Sequence, residues 1–180
     1  PTLYWTDDGT NKVQKGNADG TGSVTDVITG LTTPKGIALD TGASRVYWCD
    51  EGTVKIQRGN MVGLNQNIED LVNTSDGSSG NAAEIATLRD LAIDLVADKI
   101  YWIDVGSQKI QSAGKDIPAG ESVGARTDIV TSVTSPDVGD NFLFLLPEDN
   151  IAKGVDVCPA ELPVSLKVWY TRLVFQTANT

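Results

Sequence analysis

One short motif, repeated, constrains this chain more than anything else in it. Leu3-Tyr4-Trp5-Thr6-Asp7 returns as Val46-Tyr47-Trp48-Cys49-Asp50 and again as Ile100-Tyr101-Trp102-Ile103-Asp104, at tyrosine intervals of 43 and 54 residues. The agreement extends past the motif. Nine positions after each tyrosine stands an apolar residue followed by glutamine: Val13-Gln14, Ile56-Gln57, Ile110-Gln111. Gly16-Asn17 and Gly59-Asn60 recur together, as do Gly20 and Gly63. An apolar run ending in aspartate precedes the second and third copies, Ile37 to Asp40 and Leu91 to Asp94. Asp26 to Pro34 matches Asp128 to Pro136 without a gap, after which the register is lost. A fixed period of this size means repeated supersecondary units, each too small to bury its own apolar face and obliged to stack on its neighbours.

Each unit reads as four short strands. Ile37 to Asp40 is a short apolar run, as in a strand covered on both faces. Arg45 to Asp50 is rich in β-branched and aromatic residues. Thr53 to Arg58 alternates apolar and polar side chains, and Asp26 to Thr29 completes the set as an outer strand. The only helix-compatible stretch is short, Asn81 to Leu88. Four strands in about 40–45 residues is the pattern of a β-propeller blade. The expected fold is therefore all-β: a propeller-like array of four-stranded antiparallel blades, about three to four of them, incomplete or completed by other chain segments. The blades occupy residues 1–136. Residues 137–180 form a non-repeat segment whose stretch 164–175 alternates well enough for a closing or docking strand.

The spaced residues resemble the YWTD repeat, the LDL-receptor class B repeat. The resemblance covers about residues 2–136 and rests on Tyr4, Trp5 and Asp7 with their later copies, and on Pro34-x-Gly36 ahead of Ile37 to Asp40. It implies that the Pro-x-Gly segment is the innermost strand of a blade and the Tyr-Trp-x-Asp segment the second. It also implies a secreted or cell-surface protein that binds other proteins. The chain departs from the family pattern in places. Cys49 and Ile103 replace the motif threonine, Leu88 and Asp90 stand where Pro-x-Gly is expected, and an insertion falls around Thr74 to Asn81.

Composition narrows the chemistry. Lys and Arg number 14 against 24 Asp and Glu, a net charge of −10, which disfavours nucleic acid and anionic membranes as partners. No apolar run reaches the roughly 18 residues of a membrane-spanning helix, so no direct membrane insertion is expected. The chain contains no histidine. That removes His-based triads and His-ligated zinc, and no nucleophile–base pair stands out. The expectation is a non-enzyme with no catalytic residues, cofactor or metal.

The motif residues Tyr4, Trp5, Tyr47, Trp48, Tyr101 and Trp102 read as packing residues, because repetition at fixed spacing is what a fold requires. Asp7, Asp50 and Asp104 read as structural carboxylates that accept backbone N–H groups from nearby turns. Asp40 and Asp94, with Asp140, are candidates to face a central channel. A metal held there would make the protein a hydrolase or lactonase-type propeller enzyme, the principal alternative. A carbohydrate-binding propeller is the other. Asn73-Thr74-Ser75 is an N-x-[ST] sequon in a polar insertion, so Asn73 is a candidate glycosylation site in a secreted protein. Cys49 and Cys158 either form one disulfide in an oxidising compartment or sit as buried thiols. Together these features point to a non-catalytic, acidic, extracellular protein-interaction or assembly module. Its partner is a protein, or further copies or segments that complete the propeller.

Overall fold

The structure is a computed structural model and describes residues 1–74, 85–116 and 126–131. Those residues form eleven strands and no helix. The strands fall into three antiparallel sheets, hereafter blades A, B and C. Blade A holds β1 (Thr2–Asp7), β2 (Lys12–Asn17) and β3 (Thr25–Ile28), in that order. Blade B holds β4 (Pro34–Asp40), β5 (Arg45–Asp50), β6 (Lys55–Asn60) and β7 (Glu69–Val72). Blade C holds β8 (Leu88–Asp94), β9 (Lys99–Asp104), β10 (Lys109–Gly114) and β11 (Thr127–Val130). Among the described residues this is an open array of propeller blades in which the Tyr-Trp-x-Asp segments are β1, β5 and β9. Blade A has no strand on the inner side of β1 among the described residues.

Five hairpins within the blades share one construction. A strand ends on Asp, four residues turn, and a basic residue opens the next strand directly opposite that Asp: Asp7↔Lys12, Asp40↔Arg45, Asp50↔Lys55, Asp94↔Lys99 and Asp104↔Lys109. The last turn residue is left-handed in each, at Asn11, Ser44, Val54, Asp98 and Gln108, with φ between 52° and 59°. Four-residue hairpin loops are commonly built this way, and Asn or Asp tolerates that conformation best. Val54 is the exception, a β-branched residue in a region such residues rarely enter. Its position in the turn also shortens the strand expected over Thr53 to Arg58, which begins at Lys55.

The stretch expected to favour a helix does not form one where it is described. Residues 85–87 are irregular, and Leu88 opens β8. The amides of Ala86 and Thr87 are drawn to the Asp104 carboxylate at 2.9 Å each, which holds the backbone out of helical pairing. Residues 81–84 lie outside the described residues, as do residues 137–180 and the strand expected at 164–175.

The blades stack face to face, and the core lies in the two seams between them. The A–B seam packs Val13, Val27 and Ile28 of blade A against Ile37, Leu39, Val46, Trp48 and Met61 of blade B. The B–C seam packs Ala38, Tyr47, Cys49, Ile56, Leu71 and Val72 against Leu88, Leu91, Ile100, Trp102 and Ala113. Trp48 and Trp102 are fully buried. An indole withdraws about 200 Å² from water, or about 5 kcal/mol at about 25 cal/mol per Å². At the B–C seam the inner strands nearly touch. A Cβ on Gly36 would lie 2.6 Å from the Asp90 Cα and from the Leu91 nitrogen, so β4 and β8 meet there only because Gly36 has no side chain.

Candidate functional site

The repeated side chains converge on three structural devices, and these account for nearly all the chemistry the sequence singles out.

The first is the motif aspartate. Asp104 is fully buried and accepts four backbone N–H groups: Ala86 at 2.9 Å, Thr87 at 2.9 Å, Gly106 at 3.0 Å and Ser107 at 3.2 Å. Two donors come from the lead-in to the inner strand and two from the turn that follows the motif. Asp50 repeats the arrangement with Thr32 at 3.0 Å, Thr33 at 3.1 Å and Thr53 at 3.3 Å. Among the described residues Asp7 accepts only turn donors, Gly9 N–H at 2.9 Å and Thr10 N–H at 3.0 Å. The hydroxyl and amide of Thr10 hold its carboxyl below the ordinary range. Asp40 and Asp94 play the same part at the inner hairpins. Asp40 accepts Ala43 N–H at 2.9 Å, and Asp94 accepts Val96 and Ala97 N–H at 2.9 Å each. Asp40 also faces Lys115 at 3.5 Å. Among the described residues, no group of three or more Asp, Glu, His or Cys side chains is placed to hold a metal ion. Asp140 lies outside them.

The second device is a polar relay across each outer strand pair. Gln14, Gln57 and Gln111 each donate their amide to the outer-strand aspartate, Asp26, Asp70 and Asp128 respectively, at 2.7 Å in every blade. The lysine two residues before each glutamine closes on the same carboxylate: Lys12 at 2.7 Å, Lys55 at 2.8 Å and Lys109 at 2.8 Å. In blade C the relay reaches the motif aromatic, because Trp102 Nε1 donates to Gln111 Oε1 at 3.1 Å. The amide and ammonium partners hold the Asp26 and Asp128 carboxyls below their usual range. Burial pushes Asp70 the other way, but Lys55, Gln57 and Asn73 outweigh it and its carboxyl is also lowered. The expectations from sequence missed this relay. Its signal was legible as Lys-apolar-Gln in three copies, followed 14 to 19 residues after the lysine by Asp-apolar-apolar.

The third device is a latch across each seam. The acidic residue after the motif aspartate pairs with a basic residue on the next blade's inner strand, Asp8 with Lys35 at 2.6 Å and Glu51 with Arg89 at 2.8 Å. At the other end of the blades, Lys15 donates to the Met61 carbonyl at 3.2 Å, and Arg58 to the Lys115 carbonyl at 2.9 Å. Arg58 also pairs with Glu69 at 2.7 Å and with Asp116. Burial works against its charge, but those partners prevail and keep the guanidinium firmly protonated. Blade C carries neither latch residue on its far side: Ser112 stands where Lys15 and Arg58 do, and Val105 where Asp8 and Glu51 do. Its outer-strand residues Ile129 and Val130 are exposed, whereas the equivalent Val27, Ile28, Leu71 and Val72 are buried.

Tyr47 is fully buried in the B–C seam, while Tyr4, Trp5 and Tyr101 are half-buried. Lys15 lies 5.8 Å from the centroid of the Tyr4 ring. Cys49 is a buried free thiol whose acidity burial suppresses strongly. Cys158 lies outside the described residues. Asn73 follows β7 half-buried, Thr74 beside it is exposed, and Ser75 lies outside the described residues. The motif carboxylates are therefore occupied by backbone donors, and Tyr4, Tyr47, Trp48 and Trp102 of the motif aromatics pack in or against the seams.

No protein-family model matches the chain, and no curated protein matches it. Solved structures do. A chain of the crystal structure of a nidogen/laminin complex aligns over 72% of this chain, with a TM-score of 0.57 and 25% identity. This chain spans 43% of the length of that one. The structure and this likeness agree with the repeat pattern: over a segment, the protein resembles a YWTD propeller.

Proposed function

We propose that the protein is a non-catalytic, extracellular interaction or assembly module that works through protein contacts on a YWTD-like propeller scaffold. The observation that carries this reading is the occupation of the motif chemistry. The carboxylates that an enzyme would use as acids, bases or ligands are already hydrogen-bonded to backbone amides of the strand lead-ins and turns. Among the described residues the turns between strands are exposed on a stack of packed blades, the usual seat of recognition on such scaffolds. A neighbour found in a nidogen/laminin complex supports protein contact as the mode of action. The net charge of −10 favours a partner with a basic face. An extracellular location would make Asn73 available for a glycan, and peptide mass spectrometry of native material tests that.

The direct test is binding of the full chain to immobilised laminin, titrated at low and physiological salt. The expected result is saturable binding that weakens as salt rises. Absence of saturable binding at 10-fold reduced salt would count against a matrix partner. Stoichiometric metal in native protein, measured by elemental analysis, would count against the non-catalytic reading itself.

A further inference from the structure

Six of the eight large apolar side chains exposed among the described residues lie at one end of the blades, the end that carries the β2–β3, β4–β5, β6–β7 and β8–β9 connections. Val24 and Ile68 hold the same place in two blades, immediately before the outer strand. Val62 and Leu64 belong to the β6–β7 loop. Leu95 and Val96 stand in the β8–β9 turn where the β4–β5 turn has Thr41 and Gly42, and Val96 is 96% exposed. The described connections at the opposite end, residues 8–11, 29–33, 51–54 and 105–108, expose no large apolar side chain. A single apolar residue on a surface needs no explanation, but a set gathered on one end of a molecule marks an interaction surface.

The β6–β7 loop, on the middle blade, is built to keep its apolar side chains outward. Gly63, Asn65 and Asn67 alternate in the left-handed region, at φ 83°, 52° and 51°, a conformation that glycine and asparagine adopt most readily. The loop's polar groups are turned onto the blades. Asn65 N–H donates to the Val27 carbonyl at 2.9 Å, and the Asn65 side chain accepts Thr29 N–H at 2.8 Å and donates to the Thr29 hydroxyl at 2.9 Å. The Gln66 carbonyl accepts Asn60 N–H at 2.9 Å, and the Asn67 carbonyl accepts the Arg45 guanidinium at 3.3 Å. A loop fixed in this way has little conformational freedom left to lose on contact.

The chemistry of this end selects its occupant. The exposed apolar set is wholly aliphatic. Contacts between different proteins are anchored mainly by Trp, Tyr and Arg, with Leu and Val under-represented, whereas permanent interfaces between identical subunits are more apolar. The charges also fit a second copy. Asp19 on blade A and Lys99 on blade C are exposed and make no ion pair among the described residues. They are opposite in sign and lie on either side of blade B. A two-fold axis exchanges the two copies, so that Asp19 of each faces Lys99 of the other. The net charge of −10 does not oppose this approach, because at about 0.15 M salt exposed charges more than about 8 Å apart are screened.

We propose that two copies of this chain dock end to end through Val24, Val62, Leu64, Ile68, Leu95 and Val96, about a two-fold axis at blade B that sets Asp19 of each copy against Lys99 of the other. This goes beyond the protein-contact reading above and does not depend on laminin or any other partner.

Sedimentation velocity of the full chain over a concentration series tests it. A monomer–dimer equilibrium is expected, and Leu64→Asp with Val96→Asp should weaken it at least about 10-fold. Both side chains are exposed, so the thermal unfolding of that variant should match the wild type. Asp19→Lys and Lys99→Asp should each weaken dimerisation about 3-fold, and the two together should restore it. A chain that stays monomeric at on the order of 100 μM overturns the proposal. A dimer indifferent to Leu64→Asp with Val96→Asp, or one that the double charge exchange fails to restore, overturns it as well. Monomeric protein that floats with phosphatidylcholine vesicles would also overturn it and give this surface to a neutral lipid face.

Discussion

Replacing Asp104 by alanine removes one side chain and strands four amides. All four donors bond a single carboxylate that has no exposure, at 2.9 to 3.2 Å. A hydrogen bond to a charged acceptor contributes about 1.5–3 kcal/mol, and a buried donor left without a partner costs about 1–3 kcal/mol. Water entering the space of the lost carboxylate recovers part of this for the turn amides of Gly106 and Ser107. It recovers less for Ala86 and Thr87, which lie against β8. The expected loss is about 4–6 kcal/mol, which for a chain of this size lowers the melting temperature by about 10–20 °C. Asp104→Asn should cost nearly as much, because its NH2 group faces N–H groups that need an acceptor. Asp7→Ala removes only two bonds at the surface and should shift the transition far less. Urea titrations of the three variants, followed by tryptophan fluorescence, measure the order directly. If Asp7→Ala and Asp104→Ala fall by equal amounts, or if Asp104→Asn is close to neutral, the carboxylate is not the organising centre of the blade.

Gly36→Ala should cost at least about 3 kcal/mol, because its Cβ would lie 2.6 Å from β8 backbone atoms that cannot move aside cheaply; thermal unfolding beside the wild type measures it. Val54→Asn should stabilise the protein by about 1 kcal/mol, since relief of the left-handed strain at φ 52° exceeds the loss of a half-buried apolar contact; a lowered melting temperature would show that the contact dominates. The relay carboxylates Asp26, Asp70 and Asp128 have folded-state pKa values below their unfolded ones. Their stabilisation is therefore present above the unfolded carboxylate pKa and is lost as pH falls through the folded values. Unfolding free energy measured from pH 7 down to pH 3 should drop below about pH 4, and the Asp26→Asn, Asp70→Asn, Asp128→Asn triple variant should flatten that drop.

The blades were legible because a propeller writes its strands periodically, and Tyr-Trp-x-Asp with its trailing Gln is enough to place β1, β5 and β9 and the strands beside them. What escaped was of two kinds. The latches Asp8–Lys35, Glu51–Arg89 and the bond from Arg58 to the Lys115 carbonyl join residues of different units, 27 to 57 apart, and no local pattern announces which residue each will meet. Local propensity also misled where a tertiary demand overrode it. The alanines of Asn81 to Leu88 favour a helix, yet the amides of Thr87 and Ala86 are bonded to a carboxylate 17 and 18 residues further on. Val54 looked like a strand residue and is a turn residue, because the five-hairpin template decides that position and the side chain does not.

The seams described above also determine how the molecule comes apart. Among the described residues blade B is packed on both faces, and blades A and C on one face each. In a stack whose cohesion resides between nearest neighbours, the free energy of opening a unit scales with the number of neighbours it leaves. Damage to blade A or blade C is then absorbed locally, as fraying from one side. Damage to blade B severs two junctions at once, so Cys49, Ile56 and Trp48 lie where a single substitution would convert graded fraying into cooperative collapse of the whole array.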